Sequence, residues 1–179
     1  MSTMHLTATA DRQPTWDTAY RWLVPGLSAG ATFLGIEMLA GSLASDPWRF
    51  PSAIAETIGL NSPLSPALGI AIHFAFSVLL GALFIAWAER FQVRGRELLV
   101  AGVLFMWAES AISIWLVLHS LYPNTLPILL AAVPFWASLL GRTTFGLVLA
   151  AVYGSSRRSS TRFRDRPVSE LAGGRRRTS

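Results

Sequence analysis

Four stretches of almost unbroken apolar residues, 22–44, 66–88, 98–118 and 128–153, alternate with short segments that hold most of the charge. Each stretch is long enough for the ~20 helical residues that a bilayer core of about 30 Å requires. A soluble domain of this length could bury a core without apolar runs so long. The pattern therefore predicts an all-α fold, a four-transmembrane-helix bundle over 21–154. A polar tail over 1–20 precedes it, and an Arg-, Ser- and Gly-rich tail over 155–179, of a composition that favours disorder, follows it. A cleaved leader is the rival reading of the first stretch, because Ser42-Leu43-Ala44 resembles a cleavage site. Glu37 inside the run, and the length of the run, argue against it.

Charge supplies the orientation. All basic residues are arginine, and the formal net charge is +5 with a pI near 11.0. Arg12 and Arg21 precede the first stretch, and Arg90, Arg94 and Arg96 lie between the second and third. Arg157, Arg158, Arg162, Arg164, Arg166, Arg175, Arg176 and Arg177 follow the fourth, whereas the opposite side holds Arg49 alone. Under the positive-inside rule both termini are cytoplasmic, and a cell (inner) membrane is the expected location. Trp16, Tyr20, Trp22, Trp87, Phe91 and Tyr153 mark the inner interface, and Trp48, Phe50 and Tyr122 the outer one. A basic chain can signal nucleic acid, but arginines placed beside spans point to topology and to anionic lipid headgroups. The all-arginine bias fits a GC-rich bacterial coding sequence. In the outer loop 45–65, residues 51–60 form either a short surface helix with Ile54 and Ile58 on one face or a plain proline-rich loop.

The two halves overlay. At one offset Gly30, Phe33 and Glu37 align with Gly102, Phe105 and Glu109. At a slightly smaller one His73, Phe76, Ser77, Leu80 and Gly81 align with Arg142, Phe145, Gly146, Leu149 and Ala150. Both hairpins start inside, so the expected architecture is two parallel helical-hairpin repeats related by an axis along the membrane normal. Each apolar stretch holds one ionisable residue: Glu37, His73, Glu109 and Arg142. Charges at mid-bilayer cost several kcal/mol, by scales that differ widely, so these side chains should converge in the bundle interior. Rising 1.5 Å per residue, Glu37 and His73 lie roughly 22 Å up, and Glu109 and Arg142 about 16–18 Å, which predicts Glu37–His73 and Glu109–Arg142 pairs. Small residues share the charged faces: Gly26 and Gly30 with Glu37, Ser77 and Gly81 with His73, Gly146 and Ala150 with Arg142. Such stripes let helix backbones approach in lipid.

Cysteine is absent, which excludes disulfides and thiolate metal sites. Two Glu and one His imitate part of a carboxylate-bridged di-metal bundle, but no Glu-x-x-His occurs and Arg142 repels a cation. Haem held by two histidines would need a partner for His73, and neither His5 nor His119 fits that role. No metal or other cofactor is expected. Phosphate-loop, nucleophile-elbow and zinc-protease motifs are missing. The His-x-x-Phe-Ser-x-x-Leu-Gly run at 73–81 and the Arg-x-x-Phe-Gly-x-x-Leu-Ala run at 142–150 resemble the paired-hairpin pattern of small, uncharacterised YagU-like bacterial inner-membrane proteins. The resemblance covers residues 26–154 and implies the same four-helix fold without an activity. Arg142 stands where that pattern has His, which removes the basis for a symmetric two-histidine chemistry. The expected function is a non-enzymatic membrane component, proton-linked or pH-responsive, in transport or stress tolerance through the Glu/His/Glu/Arg network. Two alternatives stay open: a structural or assembly subunit of a larger membrane complex or homo-oligomer, and a cofactor-binding redox subunit.

Overall fold

The computed structural model describes residues 16–115 and 131–164, and all its regular structure is helical. The helices are α1 (Trp16–Leu43), α2 (Arg49–Thr57), α3 (Ser65–Arg90), α4 (Arg96–Ile112) and α5 (Phe135–Arg164). Four stretches are long and apolar enough to cross a membrane: Tyr20–Leu43, Ser65–Arg90, Arg96–Trp115 and Phe135–Arg157. They match the apolar runs read from the sequence, with two shifts in the last. α5 starts beyond Pro134, whose ring bars it from a helix interior, and it continues to Arg164. Residues 155–164 are thus helix where composition favours disorder, because the continuing helix keeps their backbone hydrogen-bonded. Residues 1–15, 116–130 and 165–179 lie outside the described residues. They include the end of the third expected span and the start of the fourth.

Three helices end in the same way. After α1, Asp46 N–H bonds the Gly41 carbonyl at 2.9 Å and Ser45 N–H the Ser42 carbonyl at 3.2 Å, with Ser45 at φ 73°. α2 closes on Gly59 (φ 81°), with Leu60 bonded to Ala55, and α3 on Gln92 (φ 53°), with Val93 bonded to Ala88. This left-handed closure satisfies carbonyls that a helix end otherwise leaves bare. Pro66 occupies the first turn of α3, where its missing N–H costs nothing. Pro25 lies fully buried inside α1. It removes the donor for the Arg21 carbonyl, an interruption that spanning helices tolerate when neighbours or water re-satisfy it.

Packing is strongest along one path: α3 against α1, α1 against α5, and α5 against α4, while α3 and α4 scarcely touch. Small residues make the crossings. A Cβ on Gly26 would lie 2.7 Å from the Ser77 carbonyl oxygen, one on Gly81 2.8 Å from Gly26 Cα, and one on Gly30 2.7 Å from Ser77 Cβ. Gly102 of α4 and Gly146 of α5 meet backbone to backbone in the same manner. Around these crossings Phe33, Phe84, Met106, Phe145, Leu149 and Tyr153 form one continuous core. Phe76, Leu79, Leu83, Val100 and Leu104 are exposed on the outer faces, where lipid contact suits them.

The 45–65 segment holds a short helix, as one of the two readings expected, but its isoleucines do not set its buried face. α2 buries Pro51, Ala53 and Ala55, while Ile58 is exposed. Gly69 of α3 lets the Pro51 carbonyl approach, and Ala53 packs with Ala40, Ala132, Val133 and Ala137. The small residues, rather than the large apolar ones, set this face because α2 is wedged between neighbours at backbone distance. Arg49 Nη1 donates to both Glu56 oxygens, at 3.0 and 3.1 Å, and clips the ends of α2 together. The glycine contacts carry a prediction. Gly102→Ala should cost about 1–3 kcal/mol by forcing α4 from α5. Gly35→Ala, with nothing within 4 Å of its new methyl, should leave stability nearly unchanged. Thermal unfolding in detergent measures the difference; equal stabilities would show that the Gly102–Gly146 crossing is not rigid.

Candidate functional site

The deepest polar side chain in the described part of the bundle is Glu37, with no exposed surface. Among the described residues neither of its carboxyl oxygens has a hydrogen-bond partner. α1 carries it toward the α2 end of the bundle, with Phe33 one turn before it and Ala40, packed with Ala53 of α2, almost one turn after it. Gly141 of α5 makes room for it: a Cβ there would lie 3.3 Å from Glu37 Oε1 and 3.1 Å from the Phe33 ring. Arg142, the next residue of α5, is the charge that acts on Glu37 through space.

His73 sits lower. Its Nε2–H donates to the Gly30 carbonyl at 2.9 Å, and Ser77 Oγ lies 3.5 Å from the same nitrogen. Phe33 stacks on the imidazole with centroids 5.4 Å apart, and Phe50 and Phe74 meet it edge-on at 6.2 and 5.6 Å. Among the described residues no hydrogen bond joins His73 to Glu37. Equal depth was a poor guide to pairing here. The contacts of Gly26 with Gly81 and of Gly30 with Ser77 set the α1·α3 register and place His73 opposite Gly30, two turns below Glu37.

Glu109 and Arg142 are likewise satisfied within their own helices. Ser113 Oγ donates to Glu109 Oε1 at 2.5 Å, and Ser110 Oγ lies 3.5 Å from Oε2. Ser113 opens a π-type turn over 113–115 that follows α4. Arg142 Nη1 donates to Ser138 Oγ. The described ion pairs are Arg21–Glu89 and Arg49–Glu56, so the expected Glu109–Arg142 pair is not formed. The helices nevertheless bring the two to one level. Antiparallel α4 and α5 pair Gly102 with Gly146, and Trp107 Nε1–H donates to Thr143 Oγ1 at 3.3 Å. On the other side of α5, Phe33 meets Phe145 and Glu37 meets Gly141. Arg142 therefore stands on the helix between two carboxylate-bearing neighbours.

A second polar cluster closes the other end, and sequence reasoning missed it. Buried Tyr153 of α5 donates its hydroxyl proton to Glu89 Oε1 of α3 at 3.1 Å, and Arg21 of α1 pairs with the same oxygen at 3.6 Å. The Arg157 guanidinium lies 5.6 Å over the Tyr153 ring. Three helices are tied here by residues whose types gave only an interface signal in the sequence. Tyr153→Phe should cost about 0.5–1.5 kcal/mol, the worth of one net hydrogen bond, and thermal unfolding would register it. No loss would mean that water replaces the tyrosine hydroxyl.

The fold and its buried polar residues define a class: a helical bundle with four segments of membrane-spanning length. No family model, curated protein or solved structure matches the chain.

Proposed function

We propose that this chain is a proton-linked or pH-responsive membrane component in which Glu37 carries the proton. The observation that supports the reading is the isolation of Glu37: fully buried, with both oxygens unpartnered among the described residues. An ionised carboxylate in that position loses its hydration without a donor to replace it, so the neutral acid is the stable form. Its release and recapture of a proton would be coupled to movement of Arg142 on α5. His73, held by the Gly30 carbonyl and the Phe33 ring, would position α1 against α3.

The reading includes a setting. Both termini lie in the cytoplasm of a bacterial inner membrane, by arginine placement, and the arginines from Arg157 onward contact anionic headgroups. The bundle descends from a duplicated hairpin, of the kind that the YagU-like resemblance implies. The matched Gly30·Ser77 and Gly102·Gly146 crossings favour that origin.

The test pairs function with stability. Purified protein in liposomes should dissipate an imposed pH gradient faster than liposomes holding Glu37→Gln. The variant should unfold at the same or a higher temperature, since replacing a buried unpaired acid removes a desolvation cost. Equal dissipation by both would overturn the reading. Reporter fusions at the Arg90–Arg96 loop and the C-terminal tail should report cytoplasm, and fusions within 45–65 the outer side; a cytoplasmic signal at 45–65 would reverse the orientation.

A structural or assembly subunit is the second reading, and a separate observation favours it. Ala31 and Gly35 are exposed on α1, and Gly35 has nothing within 4 Å. A small lipid-facing surface of that kind suits a partner helix. Retained assembly size after Gly35→Leu would count against it.

A further inference from the structure

We propose that Arg142 is a counter-ion shared by two carboxyls, Glu37 on α1 and Glu109 on α4, so that the three residues together hold one proton. The proposal rests on the reading above that Glu37 carries a proton, and it adds the group that decides where that proton sits. Three observations lead to it. First, α5 packs between α1 and α4, and its contacts with each bring Arg142 to the level of both acids. Second, the acids are in opposite surroundings. Glu109 is half-buried and takes a 2.5 Å hydrogen bond from Ser113, the short kind that a carboxylate accepts, whereas Glu37 has no donor among the described residues. Third, Arg142 donates to the neutral hydroxyl of Ser138 and forms no ion pair with either acid among the described residues. A guanidinium has five N–H donors in a rigid fork, and a single hydroxyl leaves it free to turn to a carboxylate on either side.

Charge counting gives the stoichiometry. With one proton bound, two carboxyls and one guanidinium sum to zero. With none the site is an anion, and with two a cation, each costly at this depth in a bilayer. Among the described residues, the other titratable and charged groups on the elements around Glu37 do not disturb the balance. His73 on α3 is engaged with the Gly30 carbonyl, and on α2 Arg49 and Glu56 neutralise one another. Asp46, in the loop beyond α1, is exposed and bonded to the Trp48 N–H. In the arrangement described here the proton is on Glu37 and the charge on Glu109. In the alternative arrangement Glu37 gives up its proton and pairs with Arg142, Glu109 takes one up, and the total is unchanged. Gly141 permits this exchange, because any side chain there would fill the space between Glu37 and α5.

Infrared spectroscopy of the full-length protein in liposomes tests the count, since a protonated carboxyl has its own C=O band that shifts in heavy water. The native protein should show one such buried band, lost in Glu37→Gln. In Glu109→Gln the proton is no longer needed for neutrality, so Glu37 ionises against Arg142 and the same band disappears. In Arg142→Met both acids protonate, and the band rises to the intensity of two carboxyls. A Glu37 band that persists in Glu109→Gln, together with a single band in Arg142→Met, would overturn the sharing while leaving Glu37 as the proton carrier. A native protein without a band sensitive to Glu37→Gln would overturn both readings. Should Glu109→Gln fail to fold, the Arg142→Met intensity alone decides between one shared proton and an independent Glu37.

Discussion

Helices in a bilayer gain little from hiding apolar surface from one another, because lipid is as apolar as they are, so close backbone contact must hold them. Here that contact is made where a side chain is missing: Gly26 against Gly81, Gly102 against Gly146, and Gly69 against Pro51. Each contact does two things. It brings dispersion and weak backbone interactions into range, and it locks the axial register of the pair, since sliding by one residue drives a Cβ into a backbone. Register then decides which polar groups can meet. Gly30·Ser77 delivers His73 to a carbonyl instead of a carboxylate, and Gly141 delivers Glu37 to the helix that bears Arg142.

Glu37 is placed against its own solvation, and the surroundings make that tolerable by closing rather than by pairing. α2 covers this end of the bundle with alanines and a proline, which permit backbone approach, and among the described residues no donor reaches the acid. Phe33, Phe50 and Phe145 fill the volume below. An acid among such neighbours is held neutral at a cost far below that of a buried anion, and the cost falls again when a guanidinium can be brought to it. At the other end the Tyr153–Glu89 hydrogen bond and the Arg21–Glu89 ion pair tie α1, α3 and α5 together. Among the described residues, Glu37 is the buried side chain with both of its polar atoms unpartnered, and it lies at the opposite end from this cluster.

Much of this was legible in the sequence. Length and apolarity are enough to find the four spans, because a bilayer imposes a minimum helix length. Gly26, Gly30, Ser77, Gly81, Gly146 and Ala150 stand out at four-residue spacing, and all six lie buried at the helix crossings, Ala150 beside Gly102. Pairing was not legible, for two physical reasons. Depth counted along a helix assumes that helices start level, but the glycine contacts fix the register independently of the ends. Ser113 and Ser138, one turn from Glu109 and Arg142, compete as local partners, and hydroxyls near a charge carry little weight in a reading focused on ion pairs. The buried face of α2 escaped for the converse reason: large apolar residues draw attention, and here alanine and proline take the inside.

The uneven packing of the bundle bears on why its aligned positions carry different residues. Under a duplication, α1·α5 and α3·α4 are equivalent interfaces, yet the first is extensive and the second slight. Arg142 lies on a helix with a carboxylate-bearing neighbour on each side. His73, at the aligned position, lies on a helix that packs closely on α1 and α2 and only slightly on α4, which bears Glu109. A permanently charged guanidinium is tolerable at the first position because acids flank it, and at the second it would find neither. A neutral imidazole, able to donate to a carbonyl and to stack on Phe33, meets the demands of that site without an ionic partner. Under such a duplication the Arg-for-His difference between the halves would follow from opening one interface and closing the other, leaving one cation to serve two acids.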